Sequence, residues 1–411
     1  MEDIHDDDRL SLNDRIYISS KIYQLLHGHF AHWYGLSQDK FEEDYRTLID
    51  DVTDTDDRYS FDMHMMEFLA KLRNGHTWFS DNWLNRNFNQ AMPIEVVYDF
   101  GKWVIYRSAI GGIVPGMTID NINGVTLEEY YASKRARISA SSEREARSRF
   151  CEQFYLFPRE FVLELDGRGH TVKRERASYF PKKSVEGYWL ERGRVAIIKI
   201  NQFSKATEED AIGFVKEFFD AKRIIVDVRG NRGGSTPLDL IKILMDRPFG
   251  LWRESTPLNI GLFRFYADYV RQNRDKMTQA MQEKLSLAEV FSTTELSWAP
   301  EEVENSRKHF DGELFIITDR YCRSAGEDFV LPFKETGRAV VIGEATMGTS
   351  GQPYVFSFED GIQAFIATKR VSFSDGSRFE GVGIHPDVSV MMTIEDISMG
   401  RDPLVEYCLD H

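Results

Sequence analysis

Cysteine is scarce in this chain: Cys151, Cys322 and Cys408 are the three present, far apart and odd in number. They form no CxxC pair, which argues against a disulfide framework and against a thiolate zinc site. No run reaches about 18 apolar residues, the length a membrane-crossing helix requires, so no membrane partner is expected. Positive charge is in deficit, with 51 Lys and Arg against 66 Asp and Glu, for a formal net charge of −15. Such a surface repels phosphate backbones, and nucleic acid is not expected as a partner. The GxGxxG and GxxxxGK[ST] phosphate loops and the HExxH zinc helix are missing, so the motifs ask for no cofactor and no metal. The opening "MEDIHDDDRLSL" lacks an apolar h-region and does not read as a signal peptide. A cytoplasmic location fits the chain as it stands; a secreted or periplasmic one would fit a chain whose leader had been removed.

What is present suggests several units. At roughly 150 residues per domain, a chain of 411 residues suggests two or three. Hydrophobic residues at 42% and aromatic residues at 13% supply material for substantial cores. Residues 1–90 read as a helical domain, with Ile16, Ile22, Leu26, Phe30 and Trp33 at mostly helical spacing and Phe61, Met65, Phe68, Leu69 and Leu72 repeating it. Asn74 and Gly75 are expected to stop that helix, which sets His76 just beyond its end. Residues 91–175 read as strand-rich, with hairpin turns near Phe100-Gly101 and Asp166-Gly167. Residues 176–411 alternate apolar strands and helices, as a sheet covered on both faces requires. Residues of about 250–308 interrupt that alternation as a helical insertion. The fold class expected is therefore multidomain α/β.

Three glycine-bearing corners carry candidate chemistry. In "IIVDVRGNRGGS", a strand ending at Asp227 runs into Gly230, Gly233 and Gly234, where exposed N–H groups could hold an oxyanion. In "IITDRYCRSAGEDFVLPF", Ser324 stands between a strand and a helix. A serine there caps the helix or faces a cleft as a nucleophile. The G-x-S-x-G elbow is not met, because Cys322 stands where its first glycine belongs. In "SDGSRFEGVGIHPDV", Glu380, His385 and Asp387 lie on a rigid Gly/Pro loop. His76 supplies an imidazole able to take a serine proton near neutral pH, and a carboxylate would orient it. His27, His29 and His32 in "HGHFAH" offer a metal reading, but His27 points away from the face that the other two could share.

In combination these segments resemble the tail-specific, or C-terminal-processing, serine peptidases of family S41. "LRNGHT" is similar to the family's segment after its N-terminal helices, and "GIVPGMTIDNINGVTLEE" resembles part of a PDZ domain. "VDVRGNRGG", "ITDRYCRSAGEDF", "GRAVVIGEATMGTSGQP" and "FEGVGIHPDV" follow in the family's order. The resemblance implies a helical N-terminal domain, a PDZ-like domain over 91–175, and a crotonase/ClpP-like α/β peptidase core over 176–411. It implies Ser324 as nucleophile and the N–H groups of Gly234 and Ala325 as the oxyanion hole. Gly233, Gly348, Thr349, Ile113 and Val114 are implied to touch substrate, which would be a peptide or unfolded protein. Homo-oligomer formation stays open. Where Ser-Lys members carry lysine in T-x-G-K-G, this chain has Thr349, and Lys334 and Lys369 stand outside the motif. The resemblance thus shifts to the tricorn-like branch, with His76 as base and Glu380 as orienting acid, Asp375 and Glu344 being the other acids available. That branch carries a serine just before its histidine, where this chain has Gly75. A non-catalytic binding protein on the same scaffold is the competing reading.

Overall fold

The computed structural model of the chain describes residues 9–176, 178–257, 295–300, 302–304, 309–358 and 361–411. Its centre is a six-stranded sheet in the order Val388–Ser389, Val340–Gly343, Glu313–Thr318, Arg223–Asp227, Val195–Ile200, Val185–Glu191. All neighbours run parallel except the last pair, which is antiparallel. The strands are apolar on both faces because both are covered. Ala196, Ile198, Ile224, Val226, Leu314, Ile316 and Val341 pack toward Phe329 and Phe333 of the helix Ala325–Thr336. Val195, Ile197, Ile225, Phe315, Ile317 and Ile342 pack toward Leu404 and Cys408 of the helix Pro403–Asp410. The period of two along each strand thus feeds two cores.

Among the described residues the head contains the helices Leu12–His29, Gln38–Asp54 and Arg58–Ala70, which precede His76, and the short helix Asn82–Phe88. Of the three before His76, the last, Arg58–Ala70, stops four residues before the expected Asn74. Lys71, Leu72 and Arg73 each donate an N–H three residues back, tightening the final turn. Arg73 then takes a left-handed φ of 51°, and Asn74 is freed for another task. Both hairpins form: Ile94–Asp99 with Lys102–Ser108, and Glu160–Leu165 with Arg168–Lys173. Their turn pairs, Phe100-Gly101 and Asp166-Gly167, hold positive φ at both positions, as two-residue hairpin turns of the right twist demand. Buried residues of the helical head and of the strand-rich region pack in one continuous cluster with Ile362, Ala364 and Ile366. The edges of the expected insertion are strands, Arg253–Pro257 pairing with Glu295–Trp298; its central helical stretch lies outside the described residues.

A strand after His76 joins the head to the α/β body. Trp78–Asp81 pairs antiparallel with Ile362–Ala367, and the Trp78 and Phe365 rings stack 4.1 Å apart. Ala367 N–H donates to the Thr77 hydroxyl at 3.0 Å. His76 is therefore anchored one residue from a body strand.

Candidate active site

Ser324 owes its geometry to two carboxylates. Asp319 Oδ1, at the end of the strand Glu313–Thr318, accepts N–H groups from Gly230, Tyr321 and Cys322 at 3.0, 3.0 and 3.1 Å. These bonds turn the chain sharply, and Ser324 emerges with φ 56° and ψ −125°. For a residue with a Cβ this costs about 1–3 kcal/mol. The positive φ is reached without the glycine that the G-x-S-x-G pattern supplies.

Glu327 holds the strain in place. Its Oε2 accepts the Ser324 N–H at 3.2 Å and the Thr349 N–H at 3.0 Å. Its Oε1 accepts the Thr346 hydroxyl at 2.6 Å and the Gly348 N–H at 2.7 Å. The carboxyl is fully buried, and burial pushes its pKa up to about 8 against the pull of these donors. Ser324 is the N-cap residue of its helix and forms a capping box with Glu327, whose own N–H donates to the Ser324 C=O at 2.7 Å. Glu327 is marked in the sequence only by the S-x-x-E spacing of a capping box.

The glycine corner presses against this elbow. Gly233 donates to Asn231 Oδ1 at 2.8 Å, and its C=O accepts Phe203 N–H at 2.9 Å. A Cβ on Gly233 would lie 2.5 Å from Ser324 Cβ, and one on Gly234 would lie 1.8 Å from the Phe203 carbonyl oxygen. Ser235 N–H closes the bridge to Phe203 C=O at 3.2 Å. The Gly234 N–H is left out of the bridge. The Ala325 N–H opens its helix, where donors lack intrahelical acceptors. Neither N–H has an acceptor among the described residues.

His76 sits in a turn built by Asn74. The Asn74 Oδ1 accepts the His76 N–H and the Thr77 hydroxyl, each at 3.0 Å, while its Nδ2 donates to Glu380 Oε1 at 3.2 Å. The imidazole Nδ1 lies 2.8 Å from the Thr349 hydroxyl, which itself lies 3.3 Å from Glu380 Oε1. Burial, then the charge of Arg149, lowers the His76 pKa to about 3, so the ring is neutral near pH 7. Among the described residues His76 makes no hydrogen bond to Ser324. Thr349 joins the two corners instead, because its C=O accepts the Ser324 N–H at 3.0 Å.

Glu380 is enclosed. Burial raises its pKa to about 8, and its Oε2 is buried without a hydrogen-bond partner. Ser141 donates a short hydrogen bond to its Oε1 and accepts Gly75 N–H at 2.8 Å. A hydroxyl link between the His76 loop and the acid therefore exists, supplied from a distant segment. Gly75 itself has no room for a side chain: a Cβ there would lie 2.2 Å from the Glu145 carboxylate. Glu145 and its neighbours belong to the helix Glu143–Phe150. From that helix Arg149 donates to Gly75 C=O at 2.5 Å, and Arg144 donates to Ala345 C=O at 3.1 Å. Neither Ser141 nor this helix carried a sequence signal, since both act only through contacts far along the chain.

Several expected site residues serve elsewhere. The backbone groups of Gly233, Gly348 and Thr349 are committed within the fold: Gly348 donates to Glu327 and accepts Gly381 N–H at 2.6 Å. Thr349 is fully buried, with its hydroxyl near His76 and Glu380. Ile113 is packed in the core, whereas Val114 is exposed. Glu344 pairs with Arg320 at 2.6 Å and lines a charged cavity of about 580 Å³. Asp375 is exposed and accepts from Ser377 at 2.8 Å. Asp387 pairs with Lys334, and His385 is exposed. His27 meets Glu42, His29 stacks on Tyr354, and His32 bonds Lys369 C=O at 3.1 Å. Among the described residues no group of three or more His, Cys, Asp or Glu is placed to hold a metal ion, and no helix is long and apolar enough to cross a membrane.

The model of Peptidase family S41 matches residues 194–248 and 255–390, which span the central sheet from its second strand to its last. Over these residues, less than half of the chain, the α/β core is similar to peptidase family S41. Among individual relatives, a probable CtpA-like serine protease of Staphylococcus aureus (strain COL) is 26% identical over 225 residues, 53% of this chain and 37% of its own length. The counterpart in strain N315 is 25% identical over 225 residues, with the same coverage. The chain thus matches these curated relatives over little more than a third of their length. Similar folds occur in mature CPAF, with a TM-score of 0.67 at 13% identity over 96% of this chain and 95% of that one. The photosystem II D1 C-terminal processing protease has a TM-score of 0.54 at 16% identity, over 94% and 96% respectively.

Proposed function

We propose that this chain is a serine endopeptidase acting on peptides or unfolded proteins, in the manner of the tricorn-like branch. Ser324 is the nucleophile, His76 the general base, and Glu380 the acid that orients it. The observation that carries this reading is the strained Ser324, which lies against the glycine corner, while the N–H groups of Gly234 in that corner and of Ala325 at the helix start have no acceptor among the described residues. Strain of this kind persists only where surrounding contacts enforce it, and here they hold a half-buried serine at the turn.

In the reaction, Ser324 Oγ attacks the scissile carbonyl carbon as its proton passes to His76 Nε2. The Gly234 and Ala325 N–H groups hold the resulting oxyanion. The C–N bond breaks, and His76 returns the proton to the departing amine. Water then gives a proton to His76 and adds to the ester carbonyl; the proton goes back to Ser324 Oγ as the acid product leaves. The first transfer requires Nε2 to approach the hydroxyl, a contact that tightens when substrate fills such a site.

A fluorophosphonate probe tests the proposal. It should label wild-type protein at Ser324 and leave Ser324→Ala unlabelled. Wild-type protein that binds peptides but takes no label would establish a binding module instead. The oxyanion corner makes a separate prediction. Gly234→Ala forces a Cβ onto the Phe203 carbonyl and displaces the N–H. Loss of one such donor lowers kcat by about 10²–10³, with KM for a peptide changed far less. A Gly234→Ala enzyme with wild-type kcat would remove this N–H from the mechanism.

A further inference from the structure

We infer that the Thr349 hydroxyl is the positioning group that sets the tautomer of His76, and that Glu380 acts on the ring only through it. This inference rests on the serine-peptidase reading above. Its geometric basis is that no direct hydrogen bond joins His76 to Glu380 among the described residues, while Thr349 Oγ1 lies 2.8 Å from His76 Nδ1 and 3.3 Å from Glu380 Oε1.

Thr349 is well suited to a fixed role. Its N–H is held by Glu327, its C=O by Ser324 N–H, and its side chain is fully buried. A β-branched side chain has little χ1 freedom, so the hydroxyl oxygen stays where these bonds put it. That oxygen has one proton to give. If the proton goes to Glu380, Nδ1–H must donate to Oγ1, and Nε2 is left bare to accept the serine proton. If the proton goes to Nδ1, Nε2 carries hydrogen and cannot act as base. The carboxylate decides between the two states. Ionised Glu380 is a charge-assisted acceptor, roughly twice as strong as a neutral one. A neutral carboxyl holds the threonine proton weakly and lets it turn toward the ring.

Ser141 and Asn74 brace the arrangement by donating to the same Oε1, which keeps that oxygen facing Thr349. The charged and titratable groups around Glu380 are Glu145, Glu327 and Arg378; those around His76 are Arg149, His32 and Arg323. Burial sets Glu380 to about 8 and His76 to about 3. Glu380 is therefore protonated below and ionised above that range, while the ring stays neutral on both sides. The ascending limb of kcat/KM near neutral pH belongs to the acid.

The test uses full-length wild type, Thr349→Val and Thr349→Ser with a fluorogenic peptide, after confirming that a fluorophosphonate labels wild-type Ser324. Absent labelling would fail the peptidase reading itself and leave the tautomer question to the spectroscopy below. Thr349→Val is expected to lower kcat by roughly 10- to 100-fold, by analogy with the loss of an outer hydrogen-bond partner of a metal-bound histidine. KM should change little, and the limb near pH 8 should disappear. Thr349→Ser, which keeps the hydroxyl, should restore the limb and most of the rate. Wild-type kcat and pH profile in Thr349→Val, or a serine variant as impaired as valine, would overturn the inference. Ring ¹⁵N shifts of His76 in unsubstituted protein supply a readout independent of folding in the variants. Above pH 8 the Nδ1–H tautomer is expected, and an Nε2–H ring there would overturn the inference.

Discussion

Ser324→Ala is expected to lower peptide hydrolysis by a factor on the order of 10⁶, the loss seen when an acyl-transfer nucleophile is removed. The fold should survive the change. The elbow is held by contacts of the Ser324 backbone to Thr349 and Glu327 that alanine keeps. Alanine also adopts the same positive φ at a similar cost, so the strain is unaltered. Thermal unfolding of the variant should therefore match wild type while turnover collapses. A residual rate of about 10³–10⁴ over water would remain from the oxyanion hole and substrate binding. Steady-state hydrolysis beside a melting curve checks both halves. Undiminished hydrolysis in a folded Ser324→Ala protein would end the nucleophile assignment.

His76→Ala is expected to cost nearly as much, again on the order of 10⁶ in kcat, because base and nucleophile act as one unit. The double variant with Ser324→Ala should then be scarcely slower than either alone. The ring also leaves a signature in stability. Burial lowers its pKa from 6.5 to about 3, so between those values the unfolded chain binds a proton that the folded one does not. Stability therefore rises with pH across that window, and acidification below pH 6.5 removes it. His76→Ala deletes this contribution. Its unfolding midpoint should fall less steeply than wild type from pH 6.5 toward pH 4, as urea titrations at several pH values would show. Parallel slopes would mean that the ring is not held neutral by burial.

The candidate site was legible in proportion to how local each signal is. Ser324 and the glycine corner stand out because a strand ending, a tight turn and a helix start leave marks within a dozen residues. The Glu327 contact was equally local, at a spacing of three, yet capping spacing is common enough to pass unnoticed. Ser141 could not be found that way. It meets Glu380 across 239 positions of the chain, and nothing around "ISASSE" distinguishes one serine from the next. The backbone groups of Gly348 and Thr349, expected near substrate, are bonded within the fold. A motif gives position along the chain, but not whether an N–H or hydroxyl is already spent on a neighbour.

Sequence by itself determined the layered α/β body, because apolar runs of strand length between helical patterns can be buried only with both faces covered. It determined both hairpin turns too, since residue pairs ending in glycine accept the left-handed backbone that strand twist imposes. Only the tertiary structure decided that a threonine stands between imidazole and acid. Thr349 and His76 are 273 residues apart and meet at 2.8 Å because the strand after His76 pairs with a strand of the body. Hydrogen-bond partners at such separation are set by packing, which no local pattern encodes.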